Sequence, residues 1–347
     1  MTGRRSSTAT MHQVAAAAGV SQATVSLVLN NTGGSRVAES TRLRVLDAAR
    51  TLGYRPNAAA RTLRDGTAGL IGFVGDVVAS SPFAGRIVEG AQARAWEDGL
   101  LLLTVNTGGD AGIEDAAIEA LLSHQVAGIV YASMYHRKLT IPDSLIDVPT
   151  VVLNSEDAAG LARSIVPDEV GGGLAATQAL LDAGHRRIGL INIESPSSGL
   201  PAAVGRAQGY REALDAAGLD VDPRLVWDGD GNPQAGFDGT LALMALEAPP
   251  TAIFCANDRT AWGAYQALET LGLAVPEDVS IIGFDNQETL APFLRPGLTT
   301  LELPFVTMGW RAVDTLLNDS AQPDGPEQVS CPLVVRESVA RPNRTAG

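Results

Sequence analysis

The stretch TMHQVAAAAGVSQATVSLVLNN, residues 10–31, decides how the chain is read. Thr10 is a good helix N-cap, and Gln13 three residues on completes the capping-box spacing. Val14, Ala17 and Ala18 give the first helix an apolar face. Gly19 supplies a turn conformation that other residues resist. Ser21 caps a second helix, expected over 22–30, with Val25, Val28 and Leu29 facing inward. Gln22, Ala23, Thr24 and Leu27 are left pointing outward. Two short capped helices across a glycine turn make a helix-turn-helix, whose second helix enters the DNA major groove. The same pattern also occurs in all-α domains without a nucleic-acid partner, so a second observation is needed.

Charge supplies it. Residues 1–65 carry nine Arg against Glu39, Asp47 and Asp65, a net of +6, whereas the rest of the 347-residue chain carries −20, which together give the overall −14. A basic head on an acidic body is the electrostatic footprint of a phosphate-binding module. The acidic body repels DNA, so contact is confined to the head. Helix three is expected over about 39–52, burying Leu43, Leu46 and Leu52. Its cap position holds Ala38, which costs about 1 kcal/mol unless Ser40 takes over. Pro56 then opens RPNAAARTLRDG, with Pro suited to a first turn and Gly66 to a stop. A helix of two turns is marginal in water alone.

The motifs AAAAGVSQATVSLVLNN at 15–31, STRLRVL at 40–46 and LGYRPNAAARTLRDGT at 52–67 resemble those of the LacI/GalR transcriptional regulators. Later matches carry the resemblance to about residue 341. It implies DNA contacts at Thr10, Ser21, Gln22, Ala23, Thr24, Leu27, Asn30 and Arg36, with Gln22, Ala23 and Leu27 reading bases. It also implies a hinge helix over 57–66 in which Asn57, Ala60 and Leu63 meet the minor groove, Leu63 as an apolar wedge. The loop NNTGGSR looks two residues longer than is usual in the family. Gln suits adenine and Leu a thymine methyl, so an A/T-dependent contact is expected at Leu27.

From residue 69 apolar runs alternate with amphipathic stretches. Strands read at 69–77, 100–106, 126–133, 149–154, 186–193, 251–258 and 278–285, with helices between most of them. Continuous apolar strands between helices indicate parallel sheets covered on both faces. Two Rossmann-like lobes with crossings near 166–169 and 296–299 fit best, and the family's effector domain is such a periplasmic-binding-protein-like pair. The expected division is a disordered arm (1–9), a helix-turn-helix head (10–56), the hinge helix (57–66), an effector-binding and dimerisation domain (67–341) and a tail (342–347). Within the domain, the first lobe takes 67–168 and 299–326, and the second takes 169–298 and 327–341.

No catalytic constellation is present, so the expected chemistry is binding, without enzyme activity, cofactor or metal. The four His are scattered, and neither a Walker motif, a GxGxxG fingerprint nor a GxSxG elbow occurs. Cys255 and Cys331 sit in apolar runs and read as buried free thiols. No apolar run reaches the roughly 18–20 residues that span a bilayer, and the first residues lack a signal core, so a cytoplasmic protein without a membrane partner is expected.

Ligands of doubly wound lobes sit at strand C-terminal ends. The motifs place there Ser81 and Phe83 after strand one, Asp168 in VPDEVGG, Arg206 in GRAQGYREAL, Asn257 in CANDRTAWG and Asp285 in IIGFDN. Asp258 reads equally as a cap. The family often has an aromatic residue where this chain has Gly231, so Trp227 or Phe83 is expected to supply an apolar face. Arg, Asn and Asp in an apolar cleft suit a hydroxyl-rich small molecule. The resulting expectation is a dimeric repressor of carbohydrate-utilisation genes, bound to a pseudo-palindromic operator and controlled by a sugar or glycoside. A nucleoside or purine-type effector, and a solute-binding protein, are the alternatives. The end of the chain shows no further Leu heptad, which favours a dimer over a tetramer.

Overall fold

The computed structural model describes residues 9–29, 37–54, 69–78, 85–318 and 325–343. The expected arm apart from Ala9, the hinge helix, Asn30, Arg36, Asn57, Ala60, Leu63, Ser81 and Phe83 lie outside these residues, as does all but the first two residues of the tail. The chain divides into two units, Met1–Gly69 and Leu70–Gly347.

In the first unit, helix α1 (Met11–Ala18) begins at a reciprocal cap. Thr10 Oγ1 accepts the Gln13 N–H at 3.4 Å, and Gln13 Oε1 accepts the Thr10 N–H at 2.8 Å. It stops at Gly19, whose φ of +63° is left-handed. Helix α2 (Gln22–Leu29) is capped by Ser21 Oγ, which accepts the Thr24 N–H at 3.1 Å. Helix α3 (Glu39–Thr51) starts at Ala38 with no side-chain cap, so Ser40 does not take over that role. The core is Val14, Ala15, Ala18, Val25, Val28, Val45 and Ala49.

Two expectations are corrected here. Ala15 is buried rather than Ala17, and Leu43, Leu46 and Leu52 are 59%, 40% and 39% exposed. Val45 and Ala49 form the inward i, i+4 pair of α3, because an alanine-rich α1 leaves room for small side chains at the crossing.

The second unit has two six-stranded sheets. The first contains β1 (Leu70–Gly75), β2 (Leu101–Asn106), β3 (Ile129–Ala132), β5 (Thr150–Leu153), β7 (Arg163–Pro167) and β13 (Glu327–Val329), in the order β13-β7-β5-β3-β1-β2, all parallel. The second contains β8 (Ile188–Asn192), β9 (Val226–Asp228), β10 (Ala252–Cys255), β11 (Ser280–Asp285), β12 (Thr299–Glu302) and β14 (Leu333–Val334). Its order is β14-β12-β11-β10-β8-β9, parallel except that β14 runs against β12. A two-stranded ribbon joins β4 (Lys138–Leu139) to β6 (Glu156–Asp157). Strands β8 and β10 are buried along their whole length, as continuous apolar strands covered on both faces must be.

The first crossing between lobes, after β7, falls where the sequence placed it. The second does not. Strand β12 remains in the second sheet, so the chain crosses between Glu302 and Phe305 rather than near 296–299. Strand β13 belongs to the first sheet, and a third crossing follows it. The segments 299–302 and 327–329 therefore exchange lobes relative to expectation. These strands are three or four residues long and mostly polar, too short for a periodic signal.

The helices are α4 (Gly85–Glu97), α5 (Ala111–Ser123) and α10 (Phe305–Asn318) in the first lobe, and α6 (Glu169–Asp182), α7 (Pro201–Ala216), α8 (Pro233–Met244) and α9 (Asp258–Leu271) in the second. Three pairs cross at glycines: α4 on α10 at Gly90 and Gly309, α6 on α7 at Gly173 and Gly209, and α8 on α9 at Gly236 and Gly263. A Cβ at any of the six would run into backbone of the facing helix. The α6–α7 crossing matters most, because it sets the Arg206 backbone directly against Gly173.

Candidate functional site

Two surfaces carry chemistry, one in each unit. On the first unit, Gln22 and Ala23 are exposed, Thr24 is half-buried and Leu27 is 41% exposed, while Val25 and Val28 are buried on the opposite face of α2. The Ser21 and Thr24 hydroxyls lie 2.9 Å apart, which holds the first turn of the helix. Thr10 is exposed at the start of α1. This is the outward set the sequence predicted, with polar N-terminal residues followed by one apolar side chain.

In the second unit a cavity of about 400 Å³ lies between the lobes, at the C-terminal ends of both sheets. Met134–Arg137 follow β3, Asn154 follows β5, Ile193 and Glu194 follow β8, Asp230 and Gly231 follow β9, Asn257 follows β10, and Asp285 ends β11. Leu303 and Phe305, in the second crossing, form part of the apolar wall. A wider recess of about 810 Å³ lies between α10 and β13. Among its charges, Arg311 pairs with Glu327 at 2.6 Å and Asp314 with Arg94 at 2.8 Å.

Arg206 organises the cavity floor. It is 4% exposed, and Nε donates to Glu169 Oε2 at 2.7 Å. Nη1 donates to the Ala256 carbonyl and lies 3.6 Å from Asp285 Oδ1. The guanidinium stacks on Phe284, 3.7 Å from the ring centroid. Burial alone would lower its pKa, but Glu169 and Asp285 hold it above the ordinary value. Burial would likewise raise Glu169, yet Arg206 and His136 bring it below the usual carboxylate range. At Asp285 burial wins over the attraction of Arg206, and its carboxyl is pushed up to about 6. Gln287 Nε2 donates to Asp285 Oδ2 at 3.0 Å, and the backbone of Asp285 has a left-handed φ of +109°.

The asparagines fix loops. Asn257 caps α9, accepting the Thr260 N–H at 2.7 Å, and donates from Nδ2 to the Gly231 carbonyl at 2.9 Å. Gly231 has a φ of +72°, so the loop conformation itself favours glycine where an aromatic was looked for. Asn154 donates to the Ser133 and Met134 carbonyls at 3.0 and 2.9 Å.

Of the effector residues read from sequence, Arg206, Asn257 and Asp285 converge on the cavity. Asp168 does not line it; its Oδ1 accepts the Gly171 N–H at 2.8 Å and caps α6. Trp227 does not line it either. Its ring packs over Gly239 of α8, at the outer edge of the second sheet, and the aromatic wall comes instead from Phe305 and Tyr135. Asp258 is a buried anchor, accepting from Thr300 Oγ1 and the Gln287 N–H, both at 2.6 Å. Sequence reasoning missed Glu169, His136, Asn154 and Arg259. Glu169 and Arg259 sit inside quoted motifs, VPDEVGG and CANDRTAWG, whereas nothing around His136 marked it. Both cysteines are buried free thiols. Among the described residues no helix is long and apolar enough to cross a membrane.

Residues 10–57 match the model of bacterial regulatory proteins, lacI family, and residues 177–339 match that of the periplasmic binding protein-like domain. The ribose operon repressor of Escherichia coli (strain K12) is 35% identical over 317 residues, spanning 91% of this chain and 94% of its own. The HTH-type transcriptional regulator GalR of the same organism is 36% identical over 348 residues, 97% of this chain and 98% of its own. Among solved structures, a lac repressor dimer bound to operator and the anti-inducer ONPF superimposes with a TM-score of 0.75 at 27% identity, covering 96% of this chain and 100% of that one.

Proposed function

The chain belongs to the lacI family of bacterial regulatory proteins, and from that premise we propose that it is a dimeric repressor of carbohydrate-utilisation genes whose operator affinity answers to a sugar or glycoside in the interlobe cavity. It is a DNA-binding transcriptional regulator and not an enzyme. The observation that carries the finer reading is the cavity floor. A buried Arg206 is held between two carboxylates and an aromatic face, with asparagines and an apolar wall around it. Paired donors and acceptors beside an apolar surface suit a polyol, whose hydroxyls each give and take a hydrogen bond.

Two heads on one dimer match the two halves of a pseudo-palindromic operator. Gln22, Ala23 and Leu27 read bases, and Thr10, Ser21 and Thr24 meet the phosphates. Asn30, Arg36, Asn57, Ala60 and Leu63 complete the DNA contacts, and Ser81 and Phe83 the effector contacts, of the same proposal. The ligand shifts the lobes against each other and so alters how the heads are presented. Such a protein works where the DNA is, in the cytoplasm.

The test is operator binding by the full chain, followed by fluorescence anisotropy at fixed salt, with pentoses, hexoses, glycosides, nucleosides and purines added in turn. A sugar is expected to change the affinity roughly 5–150-fold. Arg206→Ala is expected to bind DNA without that response. A response to nucleosides or purines alone would transfer the reading to that class, and an unchanged affinity across the panel would remove the effector reading.

A further inference from the structure

Arg259 stands apart from the other cations of the cavity. It is the second residue of α9, immediately behind the Asn257 cap, and it lines the cavity. Its Nε is buried without a hydrogen-bond partner, and among the described residues its guanidinium has no carboxylate within ion-pair distance. Arg206 is engaged by Glu169 and Asp285, and Arg137 lies 3.3 Å from Asp76. A buried N–H left unpaired is costly, and a guanidinium offers five donors in a planar fork.

The surroundings favour an anion at this point. The N-terminal end of α9 presents its positive dipole to the same wall. Asp285 feels the Arg259 charge at longer range, but among the described residues no cavity carboxylate comes within ion-pair distance of it. Glu169 and Asp285 are held by Arg206, and Asp230 accepts the Asn232 N–H at 3.1 Å and its Nδ2 at 2.6 Å at the exposed mouth. Glu194 is exposed at the rim.

We infer that Arg259 is a specificity-determining residue that takes an oxyanion on the effector, so that the ligand is an acidic or phosphorylated sugar rather than a neutral one. The inference rests on the effector reading above and narrows its ligand class. A phosphate ester and a carboxylate share the chemistry, since both meet the guanidinium fork with two oxygens.

Isothermal titration of the full-length protein tests this with matched sets: ribose, ribose 5-phosphate and ribonate; galactose, galactose 6-phosphate and galacturonate; glucose, glucose 6-phosphate and gluconate. The charged member of at least one set is expected to bind roughly 10–100-fold tighter than its neutral parent. Arg259→Ala should erase that advantage, and Arg259→Lys should restore part of it, with operator binding by the separate head checking that both variants fold. The phosphate and acid arms tell the two sources of the anion apart. Neutral sugars that bind as well as their charged partners, or an Arg259→Ala protein that keeps the preference, would overturn the inference and leave the sugar reading standing. If no member of any set binds, the sugar reading itself fails and the inference falls with it.

Discussion

His136, in the loop after β3 of the first lobe, has Nδ1 3.4 Å from Glu169 Oε1, on the first residue of the second-lobe helix α6. Its Nε2 lies 3.3 Å from Glu156 Oε1, so one imidazole spans carboxylates of both lobes. Glu169 in turn holds Arg206. The lobes are therefore joined through the residue that also orients the cavity's central cation. Glu169→Ala leaves the Arg206 charge buried with only the more distant Asp285, and removing one partner of a buried pair typically costs about 3–5 kcal/mol. Urea unfolding of this variant should show a loss near the lower end of that range. A loss below about 1 kcal/mol would mean that water reaches the pair.

The pH dependence follows from Asp285. Its folded-state pKa is raised to about 6, so the folded protein binds a proton that the unfolded chain has released. Stability from this group is present at low pH, falls as pH rises from the ordinary Asp range to about 6, and is constant above. Asp258, raised by its own burial and by Asp285, acts in the same direction, whereas Glu169, held low, acts in the opposite direction and at more acidic pH. Asp285→Asn should therefore flatten the stability profile between about pH 4 and 6.5, by on the order of 1–3 kcal/mol. Parallel profiles for the two proteins would contradict this.

Gly173→Ala tests how the fold positions the site. The added methyl meets the Arg206 backbone across the α6–α7 crossing, which forces α7 away from Glu169. Overpacking of this kind costs about 1–3 kcal/mol. Ligand affinity should fall together with stability. The mirror change, Gly263→Ala at the α8–α9 crossing, should cost similar stability but spare the Glu169–Arg206 contact.

On the head, Gln22 and Leu27 lie outward on one face of α2. Gln22→Ala should lose about 1–3 kcal/mol at a single base pair of each half-site and relax the preference there. Leu27→Arg should move the preference at its position from A/T toward G. Binding-site selection with the variants reads both changes, and an unaltered preference after Leu27→Arg would mean that Leu27 does not touch a base.

Much of this arrangement was legible in the residues. The reciprocal Thr10–Gln13 cap, the Gly19 turn and the Ser21 cap are local devices, and local devices are written in adjacent residues. Six of the seven apolar strands were legible because a strand covered on both faces must be apolar throughout, and the edge strand β2, with Leu101 and Leu103 exposed, through its run of leucines. Strands β7, β9, β12, β13 and β14 escaped because their pairing, rather than their composition, makes them strands. Asn257 and Asp285 could be placed because strand ends converge in doubly wound lobes, whereas Arg206, inside α7, was found through the family motif around it. Trp227 was misplaced because a tryptophan beside a site motif gives no sign of which side of an edge strand its ring covers. The Glu169–His136 pair joins residues 33 positions apart on different lobes, a tertiary contact that no local pattern announces.

The most direct test of the account is capture of fragmented genomic DNA at fixed salt by the full-length protein, beside a Gln22→Ala/Leu27→Ala variant. The account predicts that the wild type enriches a symmetric site with two half-sites about one helical turn apart, and that the variant loses this enrichment while keeping weak, salt-sensitive binding. Equal enrichment by both proteins, or binding by the wild type that ignores sequence, would contradict it.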